Sequence, residues 1–184
     1  MTEPLLTHDP DVDARLLERY RAGDDRAATE IVERHGRAVA RFIASLGERN
    51  EVEELVQDTF VRAFGALDTF RGESSLRTWL FTIARRLVLD RRRSLARRHA
   101  RFASGDAELA TEHTALDQVV AEETQRRLEG ALGKLSPLQR EVFVLRVAEG
   151  RSYKEIAEIA DTTEGAARVH YHNAMRVMKE SVDA

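Results

Sequence analysis

Apolar residues recur three and four positions apart along almost the whole chain, and this spacing predicts helices. Alternating polar and apolar stretches are almost absent, and proline occurs only three times. The clearest apolar stripe runs over residues 52–67, with acidic residues on the opposite side of the helix. The chain is therefore predicted to be all-α. The stripe consists of Val52, Leu55, Val56, Thr59, Phe60, Ala63, Phe64 and Leu67.

Four helices are expected within residues 1–100. The first ends near Gly23, the second spans roughly residues 25–46, and the third carries the stripe just described. A turn over residues 70–75 leads into the fourth, because Gly72 permits a tight bend and the serines after it can cap a helix. The inward positions of the first two helices are expected to be Val12, Leu16, Leu17, Tyr20, Ile31, Val32, Val39, Phe42 and Ile43.

The fourth helix is predicted to have one apolar face and one mixed face. Its apolar face is expected to bury Leu76, Trp79, Leu80, Ile83, Ala84, Leu87 and Val88. Its other face is expected to show Thr78, Phe81, Thr82, Arg85, Leu89 and Arg92.

A second helical domain is expected over residues 125–184, after a small, polar and acidic linker at 101–124. Within it, a short helix, a three-residue turn and a longer helix from about Glu164 match the helix-turn-helix pattern, in which the second helix enters the DNA major groove. The apolar positions of this domain and of the residues just before it are Val119, Val120, Leu128, Ala131, Leu132, Leu138, Val142, Phe143, Leu145 and Val147.

Charge is segregated along the chain, although the formal net charge is only -3. Residues 77–101 contain nine arginines and one acid, Asp90, whereas residues 102–124 contain six acids and no lysine or arginine. The arginine run has a bland explanation, a solvated helix face. The alternative is a phosphate-binding surface, because the planar guanidinium pairs with phosphate through two hydrogen bonds and stacks on bases. We favour the second, since aromatic residues interleave with the arginines and can stack on unpaired bases.

For the two aromatic residues in this helix, packing in the core and a role in nucleic-acid binding both stay open. Trp79 sits at the border of the apolar stripe, where core packing and base stacking are both open. Phe81 is expected to point farther outward, yet it can also pack under another helix.

Other candidate chemistry is weak. Glu51, Glu54 and Asp58 lie on one exposed helix face without a histidine, which favours a solvated face, then a docking patch, then catalysis. His170 and His172 project about 200° apart on a helix and cannot share a metal there. We therefore predict no enzyme activity, no cofactor and no metal.

The chain has no cysteine, which excludes disulfides and fits a reducing compartment. No stretch approaches the roughly 18 apolar residues of a membrane span, and the N-terminus lacks an apolar signal core. We expect a cytoplasmic protein with no membrane insertion.

Two long segments resemble a known family. The segment EELVQDTFVRAF at 53–64, followed by FRGESSLRTWLFTIAR at 70–85, resembles region 2 of the extracytoplasmic-function group of bacterial RNA polymerase sigma factors. LSPLQREVF at 135–143 and YKEIA at 153–157 look like region 4 of the same group. The resemblance implies a promoter-recognition subunit of two small helical domains, region 2 at 1–100 and region 4 at 125–184.

The resemblance also implies three sets of site residues. A dock for the β′ clamp helices of core RNA polymerase would use Glu51, Glu54, Leu55, Gln57, Asp58 and Arg62. Capture and melting of the minus-ten promoter element would use Phe70, Arg71, Ser74, Ser75, Thr78, Trp79, Phe81, Thr82, Arg85, Arg86 and Arg92. Reading of the minus-thirty-five element would use Thr163, Glu164, Arg168, Val169, His170, His172 and Arg176.

Further partners follow from the same resemblance. They are promoter DNA, the β flap of core polymerase, and an anti-sigma factor held between the two domains. This sequence departs from the family pattern in two features that concern promoter specificity. Arg86 stands where family members often have asparagine, and the predicted recognition helix carries few basic residues. The alternative function is a free-standing helix-turn-helix regulator that binds duplex DNA as a homodimer. A structural helical adaptor comes third, since it leaves the arginine run without a role.

Overall fold

The computed structural model of this protein describes residues 10–48, 50–102 and 130–182. These three ranges contain helices and no strand, so the predicted all-α class is confirmed. The helices are α1 at Pro10–Arg21, α2 at Asp25–Ser45, α3 at Val52–Gly65, a 3-10 helix at Leu67–Thr69, α4 at Leu76–Phe102, α5 at Pro137–Val147, α6 at Tyr153–Ala160 and α7 at Glu164–Val182. Residues 130–133 are also helical.

The first three helices pack in chain order, α1 on α2 and α2 on α3. The carboxylate of Asp24 begins α2 by accepting a hydrogen bond from the backbone N–H of Arg26, as an N-cap does. One stripe of α2 is buried, and burying each of its large side chains contributes roughly 1.5–3 kcal/mol. The apolar members of this stripe are Ala27, Ile31, Ala38, Val39, Phe42 and Ile43.

Val32 was expected in that stripe, and this expectation is wrong because 37% of the residue is exposed. Val32 directly follows the buried Ile31, so its side chain points about 100° farther around the helix axis. His35, one helical turn after Ile31, is fully buried and occupies the stripe.

α4 begins after Ser75, whose hydroxyl accepts a hydrogen bond from the backbone N–H of Thr78 at 3.1 Å. Its buried arc lies farther around the helix than the sequence predicts. Phe81 is fully buried, with its ring centroid 4.9 Å from that of Phe42, and Thr78 is also fully buried. The expected outward position of both side chains is therefore wrong.

The cause is the breadth of the apolar surface of α4. Trp79 and Ile83 lie on one side of Leu80, whereas Phe81 and Val88 lie on the other, so periodicity alone does not locate the centre of the buried arc. Contact with Phe42 selects the side of Phe81, and Trp79 and Ile83 are left half-buried.

The last three helices form a second packed group, in which α5, α6 and α7 contact one another. Leu132, Phe143 and Val177 pack against a cluster of buried residues. Ala167, Tyr171, Ala174 and Met178 repeat at core spacing along α7; Ala167, Ala174 and Met178 are buried, whereas Tyr171 is half-buried. The buried cluster consists of Ala131, Leu135, Ala174 and Met178.

Both short helices of this group start with a capping box. Ser136 and Gln139 open α5, and Ser152 and Glu155 open α6, in each case with the serine hydroxyl and the N3 side chain bonding each other's backbone N–H. Asp161 ends α6 in the left-handed conformation, with φ of 51°. Local hydrogen bonds thus determine where α5 and α6 begin.

The chain divides into two compact units, residues 1–85 and 86–184, and the division falls within α4. The predicted boundaries at 1–100, 101–124 and 125–184 remain a prediction, because most of the linker lies outside the described residues. Val119, Val120 and Leu128, expected to be core positions, also lie outside them.

Burial of Phe81 leads to a stability prediction. Replacement of Phe81 by alanine should lower the free energy of unfolding by about 3–5 kcal/mol, because it leaves a cavity beside Phe42. Urea denaturation followed by circular dichroism measures this loss. Val61→Ala is the matched control, since Val61 is 63% exposed and its truncation should change stability by no more than about 0.5 kcal/mol. Equal stability of the two variants would place Phe81 outside the core.

Candidate nucleic-acid interface

The arginine run lies along α4, and half of its described side chains are well exposed. Arg77, Arg85, Arg91 and Arg92 are half-buried, and the side chain of Arg101 lies outside the description. Those that are exposed are Arg86, Arg93, Arg97 and Arg98.

Asp90, the single acid within the arginine run, neutralises little of the positive charge of the run. An oxygen of Asp90 lies 3.7 Å from a guanidinium nitrogen of Arg93, and the side chains are 59% and 71% exposed. An ion pair at this distance and exposure contributes little free energy. The helix therefore presents a positive surface suited to phosphates.

An aromatic pair lies where the turn at 70–75 meets α4. The ring centroids of Phe70 and Trp79 are 5.0 Å apart, with an angle of 43° between the ring planes, and both residues are half-buried. Gly72 has a φ of 74°, in the left-handed region that favours glycine, at the bend between them. One part of the surface of Trp79 therefore packs on Phe70 and another faces solvent, so core packing and base stacking both stay open for this residue.

The residues predicted to contact the minus-ten element fall into three groups. Thr78 and Phe81 are buried, and the hydroxyl of Thr78 lies 2.9 Å from that of Ser75, so neither side chain offers a surface to DNA in this structure. Arg71 and Arg86 are exposed. The half-buried group consists of Phe70, Ser74, Ser75, Trp79, Thr82, Arg85 and Arg92.

The predicted dock on α3 is an exposed face with one apolar residue that the sequence analysis missed. Val61 is 63% exposed and lies three and seven positions after Asp58 and Glu54, which places all three on one side of the helix. The spacing of Val61 from these two acids is the feature of the sequence that could have identified it. The exposed residues of this face are Glu54, Gln57, Asp58, Val61 and Arg62.

Two of the predicted docking residues differ from this description. Leu55 is 1% exposed and belongs to the core, as its place in the apolar stripe predicts, so its side chain offers no surface to a partner in this structure. Glu51, just before α3, is half-buried.

The helix-turn-helix presents one face of α7. The hydroxyl of Thr163 accepts a hydrogen bond from the backbone N–H of Ala166 and so caps this helix. Val169 is 58% exposed, an unusual apolar position among polar neighbours. His170 is half-buried, with a buried Nδ1, and lies away from the exposed His172. The remaining exposed predicted residues are Thr163, Glu164, Arg168 and Arg176.

Two residues beside this face were missed by the sequence analysis. The guanidinium carbons of Arg146 and Arg168 lie 4.9 Å and 5.0 Å from the ring centroid of Tyr153, a residue of α6. Each contact is a cation–π interaction, worth about 0.5–1 kcal/mol at an exposed site. Tyr153 therefore links cationic side chains from α5 and α7. No local motif indicates this arrangement, because the three residues belong to three helices.

Other kinds of site find no support in the described ranges. Among the side chains that the structure describes, no group of three or more histidines and acids is arranged to hold a metal ion. Within the same ranges, no helix has the length and apolar character to cross a membrane.

Comparisons with known proteins match both units. A family described as Sigma-70 region 2 matches residues 31–98, and one described as Sigma-70, region 4 matches residues 125–178. The RNA polymerase sigma factor NccH of Alcaligenes xylosoxydans xylosoxydans is 37% identical over 86% of this chain and 88% of its own length. The ECF RNA polymerase sigma-E factor of Haemophilus influenzae is 28% identical over 92% of this chain and 95% of its own.

A solved structure is also similar. The sigma factor RpoE in complex with the anti-sigma factor NepR, from Bartonella quintana, has a TM-score of 0.70 and 27% identity. The similarity covers 85% of this chain and 96% of that one.

The capping box of α6 leads to a second prediction. Ser152→Ala should speed amide hydrogen exchange in α6 about fivefold, the factor expected for loss of roughly 1 kcal/mol of capping energy. Hydrogen–deuterium exchange with mass spectrometry measures it. Lys154→Ala, an exposed change within the same helix, should leave exchange nearly unchanged. Equal exchange in the two variants would contradict a capping role for Ser152.

Proposed function

The chain belongs to the extracytoplasmic-function group of the bacterial sigma-70 family, and we propose that it directs core RNA polymerase to specific promoters and assists their melting. The observation that carries this proposal is the presence of region 2 and region 4 in order on one chain, the first with an arginine-rich helix and the second with a helix-turn-helix. Sigma factors are transcription regulators and not enzymes of the usual kind, and we assign no reaction to this chain.

The exposed face of α3 is the proposed dock for core polymerase. Glu54 and Asp58 provide negative charge that steers association with a basic partner. Val61 adds an apolar contact between them and Arg62, and an interface needs such a desolvated centre to be stable. In this proposal the partner is the clamp-helix coiled coil of β′, by resemblance to the family.

Minus-ten recognition is assigned to the turn at 70–75 and to α4. Phe70 and Trp79 offer an aromatic surface on which an unpaired base can stack, worth roughly 1–3 kcal/mol per base. The exposed arginines of α4 bind the phosphates of the separated strand. Phe81 supports this surface from beneath by packing on Phe42.

Minus-thirty-five recognition is assigned to the exposed face of α7. Arg168 and Arg176 suit phosphates or guanine edges, and Val169 suits the methyl group of thymine in the major groove. Arg146 extends this basic surface, held beside Arg168 by the ring of Tyr153.

Regulation and location follow by analogy with the family. The RpoE structure contains an anti-sigma factor, and we propose that a protein of this class also restrains this chain. The acidic linker is proposed to enter a basic channel of the polymerase, and the β flap to contact the region 4 unit. Because core polymerase is the proposed partner, we propose that the chain acts in the cytoplasm.

Reconstitution tests the function directly. The purified chain added to core polymerase should form a stable complex and redirect initiation to a discrete set of promoters in a genomic library, mapped by sequencing of transcript starts. A chain that ignores core polymerase but binds a palindromic duplex as a dimer would instead be a free-standing regulator. That outcome would overturn the proposal.

Charge reversal on the exposed face of α3 should weaken docking to core polymerase and leave the chain folded. The double substitution Glu54→Lys and Asp58→Lys should weaken binding to core polymerase by about tenfold or more, because it replaces attraction with repulsion at an exposed face. Competition with a labelled sigma factor measures the affinity. Glu18→Lys on α1 together with Glu33→Lys on α2, both at exposed positions, makes the matched control. Equal affinity of both double variants would remove the docking role.

Arg86 provides a test of the melting surface. Arg86→Ala should slow promoter opening and reduce the slope of log rate against log salt by about 0.7, the value for one single-strand phosphate contact. Stopped-flow fluorescence of a labelled minus-ten element measures both quantities. Arg37→Ala, an exposed arginine of α2, should change neither. An unchanged salt slope in Arg86→Ala would argue against a phosphate contact at this position.

A further inference from the structure

α1 lies before the region 2 match, which begins at residue 31, yet it is bonded to the turn that leads into α4. Arg21, its last residue, donates from one guanidinium nitrogen to the backbone carbonyls of Leu67 at 3.4 Å and Phe70 at 3.3 Å. These residues are 46 and 49 positions away in sequence. A long-range contact of this kind constrains the turn from outside its own segment.

The two carbonyls lie at the start of the 3-10 helix and just after its end, and the carbonyl of Leu67 also accepts a hydrogen bond from the backbone N–H of Phe70 at 3.1 Å. Leu67 begins the 3-10 helix and Phe70 directly follows it. Both oxygens accept from the same guanidinium nitrogen of Arg21, which carries two N–H groups and can therefore donate to both at once.

Phe70 passes this constraint to Trp79. Arg21 restrains the backbone of Phe70, and the ring of Phe70 packs 5.0 Å from the ring of Trp79. The order of contacts thus runs from α1 through Phe70 to the aromatic surface of α4.

A second connection starts near the other end of α1. Asp13 is 4% exposed, and its Oδ1 lies 3.0 Å from Nε2 of the fully buried His35. On the opposite side of the imidazole, Nε of Arg77 donates to Nδ1 of His35 at 3.5 Å. Arg77 belongs to the first turn of α4, so α1 is connected both to the turn that carries Phe70 and to the helix that carries Trp79.

α1 itself is fixed on α2 by Arg19. This guanidinium donates to Asp24 at 2.8 Å and to Glu30 at 2.9 Å. The hydrogen bond from Arg19 lowers the pKa of Asp24 below its usual value. α1 also packs on α2 and buries Leu16 and Leu17, and a helix packed in this way can serve as a support.

We propose that α1 is a strut and that Arg21 is a positioning residue, which holds Phe70 and Trp79 in the orientation that captures a minus-ten base. This inference rests on the proposed melting role of the turn and α4. Arg21 itself touches no DNA in the proposal; it acts through Phe70.

Trp79 makes the strut measurable without DNA, because it is the only tryptophan of the chain. Acrylamide quenching of its fluorescence should increase in Arg21→Gln, since the ring pair loosens, and less in Arg21→Lys. Arg15→Gln, an exposed change of the same charge on α1, should match the unaltered chain. Circular dichroism confirms that each variant is folded at the temperature of the measurement.

The second measurement uses the complex with core polymerase. Arg21→Gln should slow promoter opening about threefold to tenfold, the range expected when one net hydrogen bond of ordinary strength is lost. Its affinity for core polymerase and the opening rate of Arg15→Gln should be unchanged. Rates come from the fluorescence of 2-aminopurine in the minus-ten element.

The outcomes separate this inference from the function on which it rests. Quenching in Arg21→Gln equal to that of the unaltered chain overturns the strut. Increased quenching with an unchanged opening rate also overturns it, because the aromatic pair would then move without consequence. If the unaltered chain opens no promoter with core polymerase, the proposed function fails, and the quenching comparison still decides whether α1 holds the turn.

Discussion

The structure depends on one constraint: α4 must be a core element and a charged surface at the same time. Burial of Phe81 against Phe42 satisfies the first requirement and fixes the rotation of the helix about its axis. Once that rotation is set, Arg86 points to solvent and Trp79 is left at the border. The apolar contact thus decides which polar groups are available for DNA.

The second unit uses a different means of positioning. Two of its helices, α5 and α6, are short, so local caps at Ser136 and Ser152 define where they begin, and isolated helices of this length are marginal without such support. Packing among α5, α6 and α7 then brings Arg146 and Arg168 to the two contacts on Tyr153. Basic residues of two helices thereby meet at one aromatic ring, although α7 itself carries few of them.

Polar contacts between distant segments complete the first unit. Arg21 reaches the turn after α3, and His35 lies between Asp13 and Arg77. Buried polar groups require partners of this kind, because an unpaired one costs about 1–3 kcal/mol. These contacts connect α1 to the elements assigned to DNA, although α1 precedes the region 2 match.

The sequence alone determined the helical class, the helix-turn-helix and the arginine run, since each depends on spacing or charge within one segment. It also indicated the exposed acids of α3 and the buried position of Leu55 in the opposite apolar stripe, but it omitted Val61 from the exposed face. Only the tertiary structure decided the burial of Thr78 and Phe81, the exposure of Val32, and the contacts of Arg21 and Tyr153. The reason is physical: which side of a broadly apolar helix is buried, and which distant side chains meet, depends on partners from other helices.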